Sequence, residues 1–283
     1  MSVLSETVVP TPFGPLAALR GGEGGVPVLA LHGWLDNAAS FVPLAPYLRG
    51  VELVALDLPG HGRSPHLPAA AEYSLPGTVH TLLDAADALG WARFAVLGHS
   101  MGAAIGSILC AAAPERVTRF VAIEALGALS DTAEHTTARL REAVAARRAL
   151  RDKALRVFPD VATAVRARMQ ANGLSEPVAR LLVERGVRPV EDGWVWSTDQ
   201  RLTITTAVRM LEAQVRDLLA NIVCPVRVIY ADPPQPYFPE PLRRERAGLL
   251  ARGETVVLAG GHHLHMEQPD AVAAAIGEFF LGG

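Results

Sequence analysis

Arg93-Phe94-Ala95-Val96-Leu97 is a short apolar run of the kind that forms a buried strand. Gly98-His99-Ser100-Met101-Gly102 follows it directly, and Ala103 to Ala113 then reads as a small-residue helix. The middle piece is a G-x-S-x-G. Between a strand and a helix that pattern makes a sharp, strained bend that presents a serine hydroxyl. Its glycines sit where a Cβ would collide with the bend. A chain built this way is expected to carry a nucleophile at Ser100. The motif is short, so its weight depends on whether the remaining residues supply a base, an acid and oxyanion donors.

The surrounding pattern fixes the fold class. Pro27–Leu31, Val51–Leu56, Arg93–Leu97 and Val117–Ile123 read as buried strands. Thr78–Leu89 reads as a helix, with Val79, Leu82, Leu83, Ala86 and Leu89 at helical spacing and Gly90 to end it. Ala38–Leu48 is a helix candidate whose start Pro43 and Pro46 disturb. Shorter β pieces around Thr7–Val9 and Leu16–Leu19 precede these, followed by a turn at Gly21–Gly25. Strands alternating with helices predict an α/β protein with a mostly parallel sheet. From about Ser130 to Asn221 the alternation stops and the pattern becomes mostly helical. Within it, Pro189–Trp196 is expected to be a loop, with Trp194 and Trp196 packing in the core. Strand signals return at Pro225–Tyr230 and Glu254–Leu258, and a helix over Pro269–Phe280 closes the chain. The expected division is a core of residues 1–129 and 222–283, with 130–221 inserted as a helical cap.

Composition narrows the function classes. Half of the 283 residues are hydrophobic and 19% are charged, as in a globular protein. The formal net charge of -3 argues against nucleic-acid binding. No uninterrupted apolar run is long enough for a transmembrane helix. Met1 to Glu6 shows no basic start and apolar core, so no signal peptide is expected. Cys110 and Cys224, the only cysteines, read as reduced core thiols in a cytoplasmic protein.

Four further pieces fall where a serine nucleophile needs them. His32-Gly33-Trp34 follows the Pro27–Leu31 strand. In this architecture one oxyanion donor is the N–H after the nucleophile, here Met101, and the other comes from this earlier loop, here Trp34. Asp57 to Ser64 follows the next strand; Asp57 and His61 are expected to be structural there. Gly260 to Pro269 follows the last strand and holds His262, His263 and His265. His262, first after the double glycine, is the expected base, with His265 as the alternative and His263 as a loop residue. Three histidines without a cysteine or carboxylate cluster nearby predict no metal. Two carboxylates compete for the role of acid: Glu124 at the end of the Val117–Ile123 strand, and Asp232 just after Tyr230. Glu124 is preferred by a narrow margin.

Together these pieces resemble the α/β-hydrolase superfamily over nearly the whole chain. A closer likeness, to its serine-hydrolase-like proteins, rests on Leu31 to Asn37, Leu97 to Gly102, Gly261 to Met266 and the stretch from Glu184 to Leu202. The resemblance implies an α/β-hydrolase fold, Ser100 as nucleophile, His262 as base, and Trp34 and Met101 as oxyanion donors. It departs at the acid: the family's common Gly-x-x-Asp would put its aspartate at Pro234, a second reason to look to Glu124. Epoxide hydrolases and haloalkane dehalogenases share the fold but use aspartate at the bend, so Ser100 argues for acyl transfer. The expected substrate is a small-molecule carboxylic ester, with no cofactor. Cofactor-free peroxidase, thioesterase and carbon–carbon hydrolase chemistry stay open, as does a non-catalytic binding scaffold. Arg139, Arg141, Arg147, Arg148, Arg151, Lys153 and Arg156 are expected to form a solvated helix face of the cap rather than a site for acidic substrates.

Overall fold

The computed structural model describes residues 4–150 and 153–282. Arg151 and the first three residues, both used in the expectations above, lie outside them. One eight-stranded sheet runs through the molecule in the order β1-β2-β4-β3-β5-β6-β9-β10. Its first two strands, β1 (Ser5–Thr11) and β2 (Gly14–Gly21), pair antiparallel, and β2 is antiparallel to β4 (Val51–Leu56). From β4 onward every pairing is parallel, through β3 (Val26–Leu31), β5 (Phe94–His99), β6 (Val117–Ile123), β9 (Val226–Asp232) and β10 (Gly253–Ala259). The strands that read as continuous apolar runs are the ones covered on both faces.

Two buried clusters fill the space on either side of the sheet. On one face α1 (Leu75–Ala88) and α2 (Met101–Ala112) bring Leu82, Ala86, Ile105 and Leu109 against Val54, Val96 and Phe120. On the other, α9 (Pro269–Ile276) brings Val272 and Ile276 against Ala30, Leu97, Val121 and Ile229. Cys110 and Cys224 are both buried free thiols.

Between β6 and β9 lie α3 (Thr136–Ala149), α4 (Val161–Asn172), α5 (Glu176–Gly186), the antiparallel pair β7 (Val187–Val190) and β8 (Gly193–Trp196), and α6 (Glu212–Ala220). A separate apolar cluster of Phe158, Val165, Val178, Leu182 and Val183 holds α4, α5 and the hairpin together. By contrast, Val215 and Leu219 of α6 pack in the cluster under α2. Most of α3 is exposed and Ala143 is its one buried residue, which fits a solvated basic face.

Three expectations need correction. Ala38–Leu48 is not an α-helix: it forms two 3-10 turns, Ala38–Phe41 and Ala45–Tyr47, because Pro43 and Pro46 interrupt the hydrogen-bond ladder. Pro189–Trp196 lies largely in the β7–β8 hairpin, not in a loop. Trp194 and Trp196 flank that separate cluster, and Trp196 meets Phe158 edge-on at 5.3 Å between ring centres. The closing helix stops at Ile276, and a 3-10 turn, Phe279–Leu281, follows Gly277.

Candidate active site

The register of the parallel strands sets the site. Along β5 and β6, His99 pairs with Ile123, so Ser100 and Glu124 each stand one residue past the last pairing, side by side. The Ser100 N–H closes onto the Ile123 carbonyl at 2.9 Å, and the Glu124 N–H onto the Ile229 carbonyl at 2.9 Å. Among the described residues only three non-glycine residues have positive φ: Leu35 at 59°, Ser100 at 50° and Glu124 at 61°. All three lie at the C-terminal end of the sheet. Strain of this kind survives only where the surroundings over-determine it, and it gathers at functional sites.

The bend at Ser100 depends on its two glycines for space, not for φ. A Cβ on Gly102 would lie 1.9 Å from the Leu31 carbonyl oxygen, and one on Gly98 would lie 2.6 Å from the Ala103 Cα. Any side chain there would push α2 away from β3 and β5. Met101 opens α2, so its N–H has no acceptor within the helix. Trp34 lies just past β3 beside the strained Leu35. Trp34 is 54% exposed, and its indole N–H donates to the Leu202 carbonyl at 2.7 Å, tying this loop to the insertion.

His262 joins both strand ends. Its Nε2 lies 2.9 Å from the Ser100 Oγ and its Nδ1 lies 3.1 Å from the Glu124 Oε2. With Nδ1–H donated to the carboxylate, the Nε2 lone pair faces the serine hydroxyl. Glu124 is fully buried, and its Oε1 accepts from the Ala231 N–H at 2.6 Å and from the Arg243 guanidinium at 3.2 Å. Arg243 belongs to α7 (Glu240–Ala247) and also donates to the Ala231 and Phe238 carbonyls. Tyr237, half exposed, meets the His262 ring edge-on at 6.3 Å. Asp232 stands at the end of β9 with an exposed side chain, and no bond joins it to His262 among the described residues.

His32, His61, His263 and His265 are buried and bonded away from Ser100. His32 donates from Nδ1 to the Gly33 carbonyl and accepts the Leu58 N–H at Nε2; burial pushes it down to about 4. His61 is buried edge-on to His32, and burial lowers it to about 3. Asp57 accepts from the Ala38 and Arg63 N–H groups and pairs with the buried Arg185 of α5. His265 does not face Ser100: it is buried against Ser40 Oγ at 2.7 Å, and burial lowers it to about 3. His263 is not simply a loop residue. It is buried, caps the short helix α8 (Leu264–Glu267), and its Nε2 lies 3.2 Å from the Asp36 Oδ2.

Two parts of the site were not foreseen. Arg243 sits in an eight-residue helix with five charged residues, so no apolar period announces it. Asp36 lies in the His32 to Asn37 loop, 227 residues from its partner His263, and no local pattern joins them.

A strained serine on a strand–helix bend, a histidine across from it and a buried carboxylate behind, all at the C-terminal end of a mostly parallel sheet, define an α/β-hydrolase. Residues 26–198 match the model of the α/β-hydrolase fold family, and the chain belongs to that superfamily. Within it the chain is similar to serine hydrolase-like protein 2 of Homo sapiens, 32% identical over 98% of this chain and 94% of that one. Its fold is that of a hypothetical protein from Pseudomonas aeruginosa PAO1, which is 39% identical with a TM-score of 0.91 over 99% of both chains. A thioesterase domain from the curacin biosynthetic pathway is 25% identical, with a TM-score of 0.86 over 97% of this chain and 99% of that one.

Proposed function

We propose that this hydrolase is a serine esterase that cleaves small to medium carboxylic esters through an acyl-enzyme. The observation that carries the reading is the continuous bonded path from the Ser100 Oγ through His262 to the buried Glu124. A serine hydroxyl is a poor nucleophile until a base takes its proton. In this reading His262 Nε2 takes it as Ser100 Oγ attacks the ester carbonyl. The Trp34 and Met101 N–H groups hold the oxyanion as charge develops. His262 then protonates the departing alcohol. Water, deprotonated by the same nitrogen, attacks the acyl-enzyme and releases the acid. Glu124 keeps the imidazole in the Nδ1–H tautomer and stabilises its charged form.

In this reading residues 130–221 form the cap over this site, and 1–129 with 222–283 the catalytic core. No helix among the described residues is long and apolar enough to cross a membrane. The two buried thiols suit the reducing cytoplasm. The similarity to a thioesterase domain favours thioesters as the second substrate class, with the same steps and a thiol in place of the alcohol.

A panel of p-nitrophenyl esters from acetate to decanoate tests the reading, alongside a fluorophosphonate probe that labels activated serines. The expected result is turnover of small to medium esters and labelling at Ser100. A folded protein that neither turns over any ester nor takes the probe is a binding scaffold, and the proposal fails.

A further inference from the structure

His262 is held by more than its two side-chain contacts. Its backbone carbonyl lies 2.8 Å from the Nε2 of His99, the residue just before Ser100. The carbonyl can only accept, so His99 carries its proton on Nε2. Its Nδ1 is then a lone pair, buried and without a hydrogen-bond partner, 3.7 Å from the Asp36 Oδ2. Burial and the neighbouring imidazoles keep His99 neutral, well below its ordinary range.

The same Asp36 oxygen accepts from His263 Nε2–H at 3.2 Å. The other Asp36 oxygen pairs with the guanidinium of Arg168, which reaches down from α4 of the cap. Asp36 is 1% exposed, and His263 and Arg168 outweigh the cost of burying its charge, so it stays ionised. One buried carboxylate therefore lies beneath both flanks of the reacting pair. His99 adjoins the nucleophile and His263 adjoins the base.

These three side chains are also a donor set in which a metal ion could be imagined, with their ligand atoms within 4.8 Å of one another. The guanidinium argues against one: Arg168 already supplies the positive charge that a buried carboxylate requires. His263 spends its Nε2 proton on Asp36 in the same arrangement.

We propose that Asp36 is a positioning residue: clamped by Arg168, it holds His263 and with it the loop that presents His262 to Ser100. The inference rests on the esterase reading for its consequence, not for its geometry. A base loop that relaxes by about an ångström costs on the order of 100-fold in rate, because the proton acceptor leaves hydrogen-bond reach. Substrate contacts made elsewhere are untouched, so the loss falls on kcat.

Three variants test this: Asp36→Asn, His263→Leu and His263→Gln. An asparagine offers one oxygen where Arg168 and His263 each need one. Leucine removes the His263 donor and leaves the Asp36–Arg168 pair whole, whereas glutamine restores an N–H donor. Two readouts are taken on the full chain, with the melting temperature recorded for each variant. One is the rate of Ser100 labelling by a fluorophosphonate, with kcat and KM for p-nitrophenyl butyrate. The other is the low-field proton resonance of His262 Nδ1–H, which needs no turnover.

The proposal expects Asp36→Asn and His263→Leu to lose about 10–100-fold in labelling and kcat, with KM within about twofold. Their His262 resonance shifts, and His263→Gln recovers both readouts. Wild-type rates and resonance in folded Asp36→Asn would overturn it, as would a glutamine no better than leucine. Should wild-type protein take no label at all, the esterase reading fails, and the resonance still decides the role of Asp36. If Asp36→Asn does not fold, the His263 pair decides alone.

Discussion

Each of the neighbouring strands β6 and β9 offers a carboxylate at its C-terminal end, Glu124 one residue past β6 and Asp232 as the last residue of β9, and the two ends are built differently. Glu124 leaves β6 with a left-handed φ of 61°, is fully buried, and is bonded by His262, Ala231 and Arg243. Asp232 ends β9 in the last pairing of that strand with β10, and its side chain points to solvent. A carboxylate that orients a base must be fixed before the reaction starts, because freedom there is paid as reorganisation in the transition state. Glu124 has that fixity and Asp232 does not. The end of β9 and the loop after it serve the site in another way: the Ala231 N–H of the strand helps to hold Glu124, and Tyr237 of the loop stands against His262.

The comparison can be broken at several points. The largest effect belongs to the residue that both candidate acids would serve. Ser100→Ala should lower ester turnover by about 10⁴-fold or more, measured as kcat with p-nitrophenyl butyrate; a comparable rate in the variant removes the nucleophile and the comparison with it. Next comes Arg243→Met, which strands the buried Glu124 without its cation. It should destabilise the fold by about 3–5 kcal/mol in denaturant titration and slow acylation as well. Stability and rate both at wild-type values would mean that Arg243 does not hold the acid.

Acid should weaken the frame around both strand ends. Burial holds His32 at about 4, and His61 and His265 at about 3, against an ordinary 6.5. Unfolding releases all three to take up protons, so the unfolded state binds more protons between about pH 6.5 and the folded-state values of about 4 and 3. Stability from these groups is therefore complete above pH 6.5 and is lost as the pH falls toward 4 and then 3. The denaturation midpoint should drop across that window, and a flat profile would contradict the buried neutral histidines. The smallest effect is at the exposed carboxylate: Asp232→Asn should leave kcat within about twofold.

Much of this was legible in the chain. Val51–Leu56 and Val117–Ile123 could be bounded to the residue, because a strand buried on both faces writes an unbroken apolar run. Ser100 was legible because its bend needs glycine on both sides, and His262 because it comes first after the double glycine that follows the last strand. Glu124 was harder. From sequence it was one carboxylate at a strand end, and what distinguishes it from Asp232 is a register between β5, β6 and β9 that no local pattern encodes. Arg243 was not legible at all: among the charged residues of its helix it turns inward, as Arg246 does, toward partners distant in sequence, the buried Glu124 and the ring faces of Tyr230 and Phe238, 4.7 and 5.6 Å from its guanidinium carbon. His263 was read as a loop residue for the same reason: its partner Asp36 belongs to the far end of the chain.

The measurement closest to the central claim is single-turnover acylation of Glu124→Gln beside Asp232→Asn, with p-nitrophenyl acetate, above the pH at which the buried histidines matter. Glutamine keeps the shape of Glu124 and its bond from Ala231 but cannot hold His262 as the carboxylate does. The account predicts that the acylation burst slows by about 10³–10⁴-fold in Glu124→Gln and is unchanged in Asp232→Asn. A fast burst in Glu124→Gln together with a slow one in Asp232→Asn would contradict it and move the acid to the end of β9.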